Sequence, residues 1–154
     1  MTARRLMLVA AAGSLGLLLA AWAFQHLGGL APCKLCIWQR WPHGAAVALG
    51  AVALAAPVAL VALLGAIAAG TSAGIGLYHT GVERGWWEGP SSCSSTGVSG
   101  LSADDLLDQI MTAPLVRCDE VPWEMLGLSM ASWNAVASIA LCLIWLAAVR
   151  RASA

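Results

Sequence analysis

The stretch WPHGAAVALGAVALAAPVALVALLGAIAAGTSAGIGLYHTGV, residues 41–82, runs for 42 residues without an aspartate, glutamate, lysine or arginine. A single helix of that length would be about 63 Å long, twice the thickness of a bilayer's hydrocarbon core. Proline disrupts a helix interior and disfavours helix at the residue before it, so the segment Ala55-Ala56-Pro57 is the expected break. We therefore predict two membrane spans here, over about residues 43–56 and 59–79.

Two more uncharged stretches, Leu6 to Phe24 and Ala131 to Val149, are each 19 residues long, enough to cross a bilayer. A cleaved signal peptide is the competing interpretation of the first, but its apolar region would be only about 7–15 residues long, so we expect this segment to be retained. Only 10% of the residues are charged, against about 25% in soluble domains. The sequence predicts an all-α membrane protein, a single four-transmembrane-helix bundle over residues 1–154, with spans at about 6–24, 43–56, 59–79 and 131–149.

The charged residues are distributed unevenly along the chain. All eight acids fall between positions 83 and 124, whereas arginine pairs stand near both termini, at positions 4–5 and 150–151. Arginines beside membrane spans favour the cytoplasmic side, and four spans bring both termini to one side. We therefore expect cytoplasmic termini and two outer loops, over about residues 25–42 and 80–130. The net charge of zero gives no reason to expect a nucleic-acid partner.

The longer outer loop contains the segment SADDLLDQIM, residues 102–111, which has the pattern of a short amphipathic helix. Ser102 suits the N-cap position, and acids suit the first turn. Leu106, Leu107, Ile110 and Met111 would form the apolar face. We predict that this helix lies on the membrane surface.

The segment PCKLC, residues 32–36, has the spacing of a redox-active cysteine pair at the start of a helix. Amide groups at a helix N-terminus stabilise a thiolate, which makes Cys33 or Cys36 a better nucleophile. Arg40 lies four residues after Cys36 and would add a positive charge on the same helix face. Two other interpretations of the pair are half of a zinc site and a purely structural disulfide. The zinc interpretation is weakened because neither Cys93 nor Cys118 has another cysteine three residues away.

Cys93 and Cys118 lie in polar, apparently non-helical segments of the long outer loop, which suits an accessible disulfide. Such a bond can be a staple that stabilises the fold by about 3.5 kcal/mol on the chain-entropy model. With a second cysteine pair on the same side of the membrane, it can equally be one half of a thiol–disulfide relay. Cys142 lies in the middle of the last span, where a cysteine usually packs as a small hydrophobe.

The three histidines, His26, His43 and His79, fall at the outer ends of predicted spans. They can converge on a site, or each can simply end its helix. A metal-binding membrane protein that uses these histidines with Cys33 and Cys36 is therefore one alternative function. We expect no metal.

Four motifs in this order resemble the disulfide bond formation protein B (DsbB) family: AFQH at 23–26, PCKLC with arginine four residues later, LYHTGVE at 77–83 and CDEVPWEMLGLSMASW at 118–133. The resemblance covers nearly the whole chain. It implies a membrane thiol oxidase of the bacterial inner (cytoplasmic) membrane, a protein-disulfide:quinone oxidoreductase with its long loops in the periplasm. Its partner would be a periplasmic DsbA-type thiol oxidase, and its cofactor a quinone, ubiquinone or menaquinone, drawn from the membrane.

The resemblance also implies a role for each matching residue. Cys33 and Cys36 would form one redox disulfide, with Cys36 beside the quinone ring. Cys93 and Cys118 would form the other, with Cys93 attacked by the partner and Cys118 pairing transiently with Cys33.

Arg40 would hydrogen-bond the quinone and His79 would lie at the same pocket. Gln39 departs from the family pattern, where some members have an acid. A vitamin K epoxide reductase-like protein is the alternative enzyme, although its C-x-x-C is expected near the last span rather than before the second.

Overall fold

A computed structural model of the chain describes residues 1–90, 93, 102, 104, 107, 111 and 116–153. The elements that the structure describes in full are four long helices and one two-stranded antiparallel hairpin. They are α1 (Ala3–His26), α2 (Lys34–Ala55), α3 (Ala59–Glu83), β1 (Glu124–Met125), β2 (Leu128–Ser129) and α4 (Met130–Ala152).

The chain leaves helical conformation between Ala55 and Ala59, where Pro57 interrupts the long apolar run. At its other end α2 begins at Lys34, well before the start of the predicted span at residue 43, and it contains Pro42 in its interior. The proline therefore does not begin this helix. The consequence is that one continuous helix carries residues 36, 40 and 43 at spacings of four and three, which places them on one face.

Three helices in the described part of the chain are long and apolar enough to cross a membrane, and this makes the chain a membrane protein. They are α1, α3 and α4. Helix α2 is not among them, since its first half carries Lys34 and Arg40, so the count of four spans stays a prediction. The predicted loop helix at 102–111 falls mostly outside the described residues and stays a prediction as well.

One core cluster fills the end of the bundle that carries both chain termini. It is built largely from alanines on all four helices, around the fully buried Met7 and Trp145. Arg4 donates hydrogen bonds to the carbonyl oxygens of Ala53 and Leu54, which end α2 without partners in the helix itself. Small side chains let the helices approach closely, as is usual for helices packed in a membrane.

A second core cluster lies at the opposite end of the bundle. Its buried members are three cysteines and two aliphatic residues: Cys33, Leu35, Val82, Cys93 and Cys118. The start of α2, the end of α3 and the connection between α3 and α4 therefore meet at this end.

The contact between Gly65 in α3 and Trp145 in α4 gives a test of this packing. A Cβ atom added at Gly65 would overlap the Trp145 ring, whereas one added at Gly74 of the same helix meets open space. We expect Gly65→Ala to destabilise the protein by about 1–3 kcal/mol through overpacking. Gly74→Ala should be neutral or stabilise it by up to about 1 kcal/mol, because alanine favours helix. Unfolding in detergent measures both, and equal stability of the two variants would contradict the packing described.

Candidate functional site

Cys33 is the N-cap residue of α2, and its side chain takes the place of the usual serine or aspartate. Its Sγ accepts a hydrogen bond from the backbone N–H of Cys36 at 3.2 Å. The two sulfur atoms are 2.9 Å apart, beyond the roughly 2.05 Å of a covalent bond, and both cysteines are free thiols. The Cys33–Cys36 disulfide therefore stays a prediction, and the 2.9 Å separation shows that the two sulfur atoms lie close together.

The surroundings of Cys33 favour its thiolate. The pKa of the Cys33 thiol is lowered to about 4, chiefly because the Cys36 thiol donates a hydrogen bond to it. The His79 ring, with Nε2 at 3.5 Å from the Cys33 sulfur, adds to this effect, while burial opposes it. The lowered pKa favours the thiolate of Cys33, which is the form that attacks disulfides.

His79 lies on the buried face of α3 and joins several polar groups. Its Nε2 is 3.8 Å from a carboxylate oxygen of Glu83, one helical turn away, and its Nδ1 is 3.0 Å from the amide nitrogen of Gln39. The Ser129 hydroxyl donates a hydrogen bond to Glu83. Sequence reasoning missed Glu83, although its spacing of four residues from His79 in LYHTGVE was the available signal.

Cys93 and Cys118 form a disulfide with their Cα atoms 5.3 Å apart. The two residues are 1% and 0% exposed, so the expectation of an accessible disulfide is wrong for this conformation. Their sequence neighbours are polar, but their spatial neighbours are Cys33, Leu35 and Val82. Both cysteine pairs consequently belong to one buried cluster at one end of the bundle.

A cavity of about 550 Å³ opens beside this cluster. Its walls are mostly apolar side chains of α1 and α4, α2 contributes a mainly polar wall, and residues of the 116–125 segment also line it. Cys36 and Arg40 from α2 and His79 from α3 line it together. The Arg40 guanidinium donates a hydrogen bond of 2.6 Å to Gln25 at the end of α1. The arrangement suits an apolar molecule with hydrogen-bond acceptors, held against a reactive sulfur.

The structure does not bring all three histidines together. His26, the last residue of α1, is exposed, and His43 lies deeper in the bundle, hydrogen-bonded to Ser14 and Asn134. Among the described residues, Cys33, Cys36 and His79 are the one group of three possible metal ligands whose ligand atoms lie within 4.8 Å of one another. The set of two cysteines and three histidines considered above is therefore not assembled.

Cys142 lies away from both cysteine pairs. Its thiol donates to the carbonyl oxygen of Ala66 in α3, at 3.3 Å, and it packs against the core at the end with the termini. It therefore has the structural role expected of it.

The effect of the Cys36 hydrogen bond on the pKa of Cys33 can be tested in a Cys142→Ser background. Cys36→Ser keeps a hydroxyl that can donate to Cys33, whereas Cys36→Ala removes the donor. With Cys36→Ser, alkylation of Cys33 should proceed at a constant rate from about pH 6 to about pH 9, because an anion formed near pH 4 is complete throughout that range. With Cys36→Ala, the rate should rise with pH as the thiol approaches its ordinary pKa of about 8.5. Identical pH profiles for the two variants would contradict the assigned cause.

A family model described as "Disulfide bond formation protein DsbB" matches residues 3–148 of the chain. Disulfide bond formation protein B 2 of Pseudomonas aeruginosa is 36% identical over 145 residues, covering 86% of this chain and 83% of that protein. Disulfide bond formation protein B of Shewanella amazonensis is 31% identical over 145 residues, covering 90% of this chain and 85% of that protein.

The protein of the same name from Pasteurella multocida is 33% identical over 139 residues, covering 83% of this chain and 77% of that protein. No solved structure matches the chain. The resemblance found in the four motifs is confirmed over nearly the whole length of the chain. The chain belongs to the disulfide bond formation protein DsbB family.

Proposed function

We propose that this oxidoreductase of disulfide bond formation reoxidises a periplasmic DsbA-type dithiol oxidase and passes two electrons to a membrane quinone. The observation that carries the proposal is the single buried cluster that contains Cys33 and the Cys93–Cys118 disulfide, with Cys36 on the wall of the adjoining cavity. Thiol–disulfide exchange requires direct contact between sulfur atoms. The shared cluster brings the two pairs to the same end of the bundle, where such contact can be made.

The first exchange takes place at the loop disulfide. A thiolate of the reduced partner attacks Cys93, which forms a mixed disulfide and releases Cys118 as a thiolate. The partner's second thiol then breaks the mixed disulfide and releases Cys93, so the partner is oxidised and the loop pair is reduced by two electrons. Because Cys93 is 1% exposed in the structure, it must leave the cluster for this step.

The second exchange returns the loop pair to its oxidised form. Cys118 attacks Cys33 of a Cys33–Cys36 disulfide and releases Cys36, and Cys93 then attacks Cys118 and releases Cys33. The products are a Cys93–Cys118 disulfide and a Cys33/Cys36 dithiol. In this combination the two electrons rest on the pair beside the cavity.

The residues at the cavity fit a quinone. Its walls are largely apolar, Arg40 supplies nitrogen donors beside Cys36, and His79 lies at the same wall. A bound quinone would accept two electrons and two protons as Cys33 and Cys36 form their disulfide. Within the chain, Arg40 would orient the acceptor oxygens and His79 would hold the Cys33 thiolate, while the apolar walls exclude water.

An external oxidant is needed for thermodynamic reasons. A DsbA-type partner is itself a strong oxidant, with a potential of about −120 mV. If the pairs in this chain had the potential of a disulfide isomerase, about −180 mV, accepting its electrons would cost about 2.8 kcal/mol. Removal of those electrons by a more oxidising quinone would draw the exchange forward.

The proposed location is the bacterial inner membrane, with four spans and both termini in the cytoplasm. The arginine pairs at positions 4–5 and 150–151 support this orientation. The terminal ends of α1 and α4 pack in the core cluster opposite the cysteines. With the termini in the cytoplasm, the cysteine cluster would lie at the periplasmic side.

Neither alternative function is favoured by the family match. A vitamin K epoxide reductase-like protein would have its C-x-x-C near the last span, whereas Cys33 and Cys36 lie at the start of α2. The metal-binding alternative uses all three histidines, whereas among the described residues His79 is the one that lies close to both Cys33 and Cys36.

Replacement of each cysteine tests the relay. In membranes supplied with reduced DsbA-type partner and quinone, Cys33→Ser, Cys36→Ser, Cys93→Ser and Cys118→Ser should each abolish quinone reduction, because each removes one sulfur from the sequence of exchanges. Cys142→Ser is the matched control and should keep full activity. Full activity in Cys93→Ser and Cys118→Ser would show that the loop disulfide is only a structural staple.

Replacement of Arg40 tests the cavity as the quinone site. Arg40→Met removes a charged hydrogen-bond donor, and we expect kcat/KM for quinone to fall about 10- to 100-fold. Arg40→Lys should recover part of the loss, since it keeps the charge but not the planar geometry. Arg5→Met, at the other end of the bundle, is the control. A normal kcat/KM in Arg40→Met, with reduced partner still oxidised, would exclude Arg40 from the site.

A further inference from the structure

His43 takes no part in the exchanges described above, yet it is buried among polar side chains from three other helices. Its Nδ1 is 3.2 Å from the hydroxyl of Ser14 in α1, and its Nε2 is 3.0 Å from the side-chain oxygen of Asn134 in α4. The hydroxyl of Ser72 in α3 is 3.0 Å from the same Nε2. Buried polar groups cost free energy unless they are hydrogen-bonded, so this set of contacts is a built feature of the core.

From Asn134 the contacts continue to the cysteine cluster. The Asn134 side-chain nitrogen donates to the side-chain oxygen of Gln39 at 2.7 Å. The Gln39 side-chain nitrogen lies 3.0 Å from Nδ1 of His79, whose Nε2 lies 3.5 Å from the sulfur of Cys33. An unbroken series of hydrogen bonds thus joins His43, in the middle of the bundle, to the reactive thiolate.

Two backbone carbonyls determine the direction in which this series donates. The Leu35 carbonyl oxygen, which can only accept, is 3.2 Å from the side-chain nitrogen of Gln39, so the amide N–H₂ must face Leu35 and His79. The Ser72 hydroxyl donates to the Gln39 carbonyl oxygen at 3.1 Å and must therefore accept from Asn134, whose nitrogen is 3.2 Å away.

With both amides fixed, the hydrogen positions on the two histidine rings follow. The Asn134 oxygen faces His43 and needs a hydrogen on Nε2 of that ring. The Gln39 amide donates to Nδ1 of His79, so a neutral His79 carries its hydrogen on Nε2, the atom that faces Cys33. In each hydrogen bond of the series from Ser14 to Cys33, the donor is then the residue nearer to Ser14 in the series.

We propose that His43 and Asn134 are positioning residues which, through Gln39, hold His79 with its Nε2–H directed at the Cys33 sulfur. The inference rests on the proposed function for its importance, because an oriented donor keeps Cys33 ready to exchange and to be oxidised. The test of this inference is independent of the proposed function, because it measures the Cys33 thiol and not electron transfer. The titratable groups that contact Cys33 are Cys36 and His79, and Glu83 lies behind His79, close enough to interact with Cys33 electrostatically.

The residues that orient His79 also form part of one wall of the cavity. Gln39, His43 and Asn134 all line the cavity, at the level below Cys36. Gln39, which stands where some family members are expected to have an acid, fits this series as a neutral amide, since it donates at one end and accepts at the other. A carboxylate at this position would have no hydrogen to donate to His79.

The variants that test the proposal are made in the Cys36→Ser/Cys142→Ser background, in which Cys33 is the one thiol outside the loop disulfide. Asn134→Leu breaks the series in α4 and His43→Leu breaks it in α2. Each should raise the pH midpoint of Cys33 alkylation by about one unit, because the donor at His79 is no longer oriented. In a His79→Leu background the same two changes should have no further effect, since they act through that ring.

Ser138→Ala is the matched control. Ser138 lies one helical turn from Asn134 and its hydroxyl is 3.2 Å from Nε2 of His43, but it is not a link in the series. Its removal should leave the midpoint unchanged. A midpoint that stays unchanged in Asn134→Leu and His43→Leu, or that moves equally in Ser138→Ala, would overturn the proposal whether or not the chain reduces quinone.

A measurement on the unmodified chain tests the hydrogen positions directly, and a variant is needed only to assign the resonances. With ¹⁵N-labelled histidine, the resonances of the three rings report which nitrogen carries hydrogen, and the His79 ring is the one lost in His79→Asn. We expect hydrogen on Nε2 and none on Nδ1 for the neutral His79 ring in the reduced protein. Hydrogen on Nδ1 with a bare Nε2 would overturn the proposal.

Discussion

The Cys33 sulfur lies where three parts of the chain meet, and the rest of the fold depends on holding it there. It caps α2, it contacts Cys36 and His79, and it packs in the cluster that contains the Cys93–Cys118 disulfide. Exchange between sulfur atoms works only at contact distance. The start of α2, the end of α3 and the connection to α4 must therefore share one end of the bundle, against an open cavity.

Close packing of the helices makes that placement possible without a large apolar core. Glycines in α3 let neighbouring groups approach its backbone: Gly65 receives Trp145, Gly76 receives Ala135 and Gly81 receives Trp87. In lipid, such contacts and interhelical hydrogen bonds replace the hydrophobic effect as the forces that join helices. The hydrogen bonds from His43 to His79 also join the helices. Unlike apolar packing, they fix the orientation of the side chains that they connect.

Local features of the sequence predicted the helix break at Pro57 and the cysteine pair at a helix start, because both depend on neighbouring residues. The family motifs indicated His79 and Arg40. The burial of the loop disulfide was missed, since its chain neighbours are polar and its apolar neighbours, Leu35 and Val82, come from other helices. The role of His43 was missed for a similar reason: its partners lie on other helices, and a sequence does not give the rotation of one helix against another.

The most direct test of contact between the two pairs is to leave one cysteine from each. In a Cys36→Ser/Cys93→Ser variant, Cys33 and Cys118 remain near the shared cluster, and peptide mapping under non-reducing conditions reveals whether they are joined. We predict a Cys33–Cys118 disulfide when a mild chemical oxidant is supplied to the membranes to accept the two electrons. We predict none when Cys33→Ser is added to the variant, which leaves Cys118 and Cys142. Two free thiols at positions 33 and 118 in the folded protein would contradict the account.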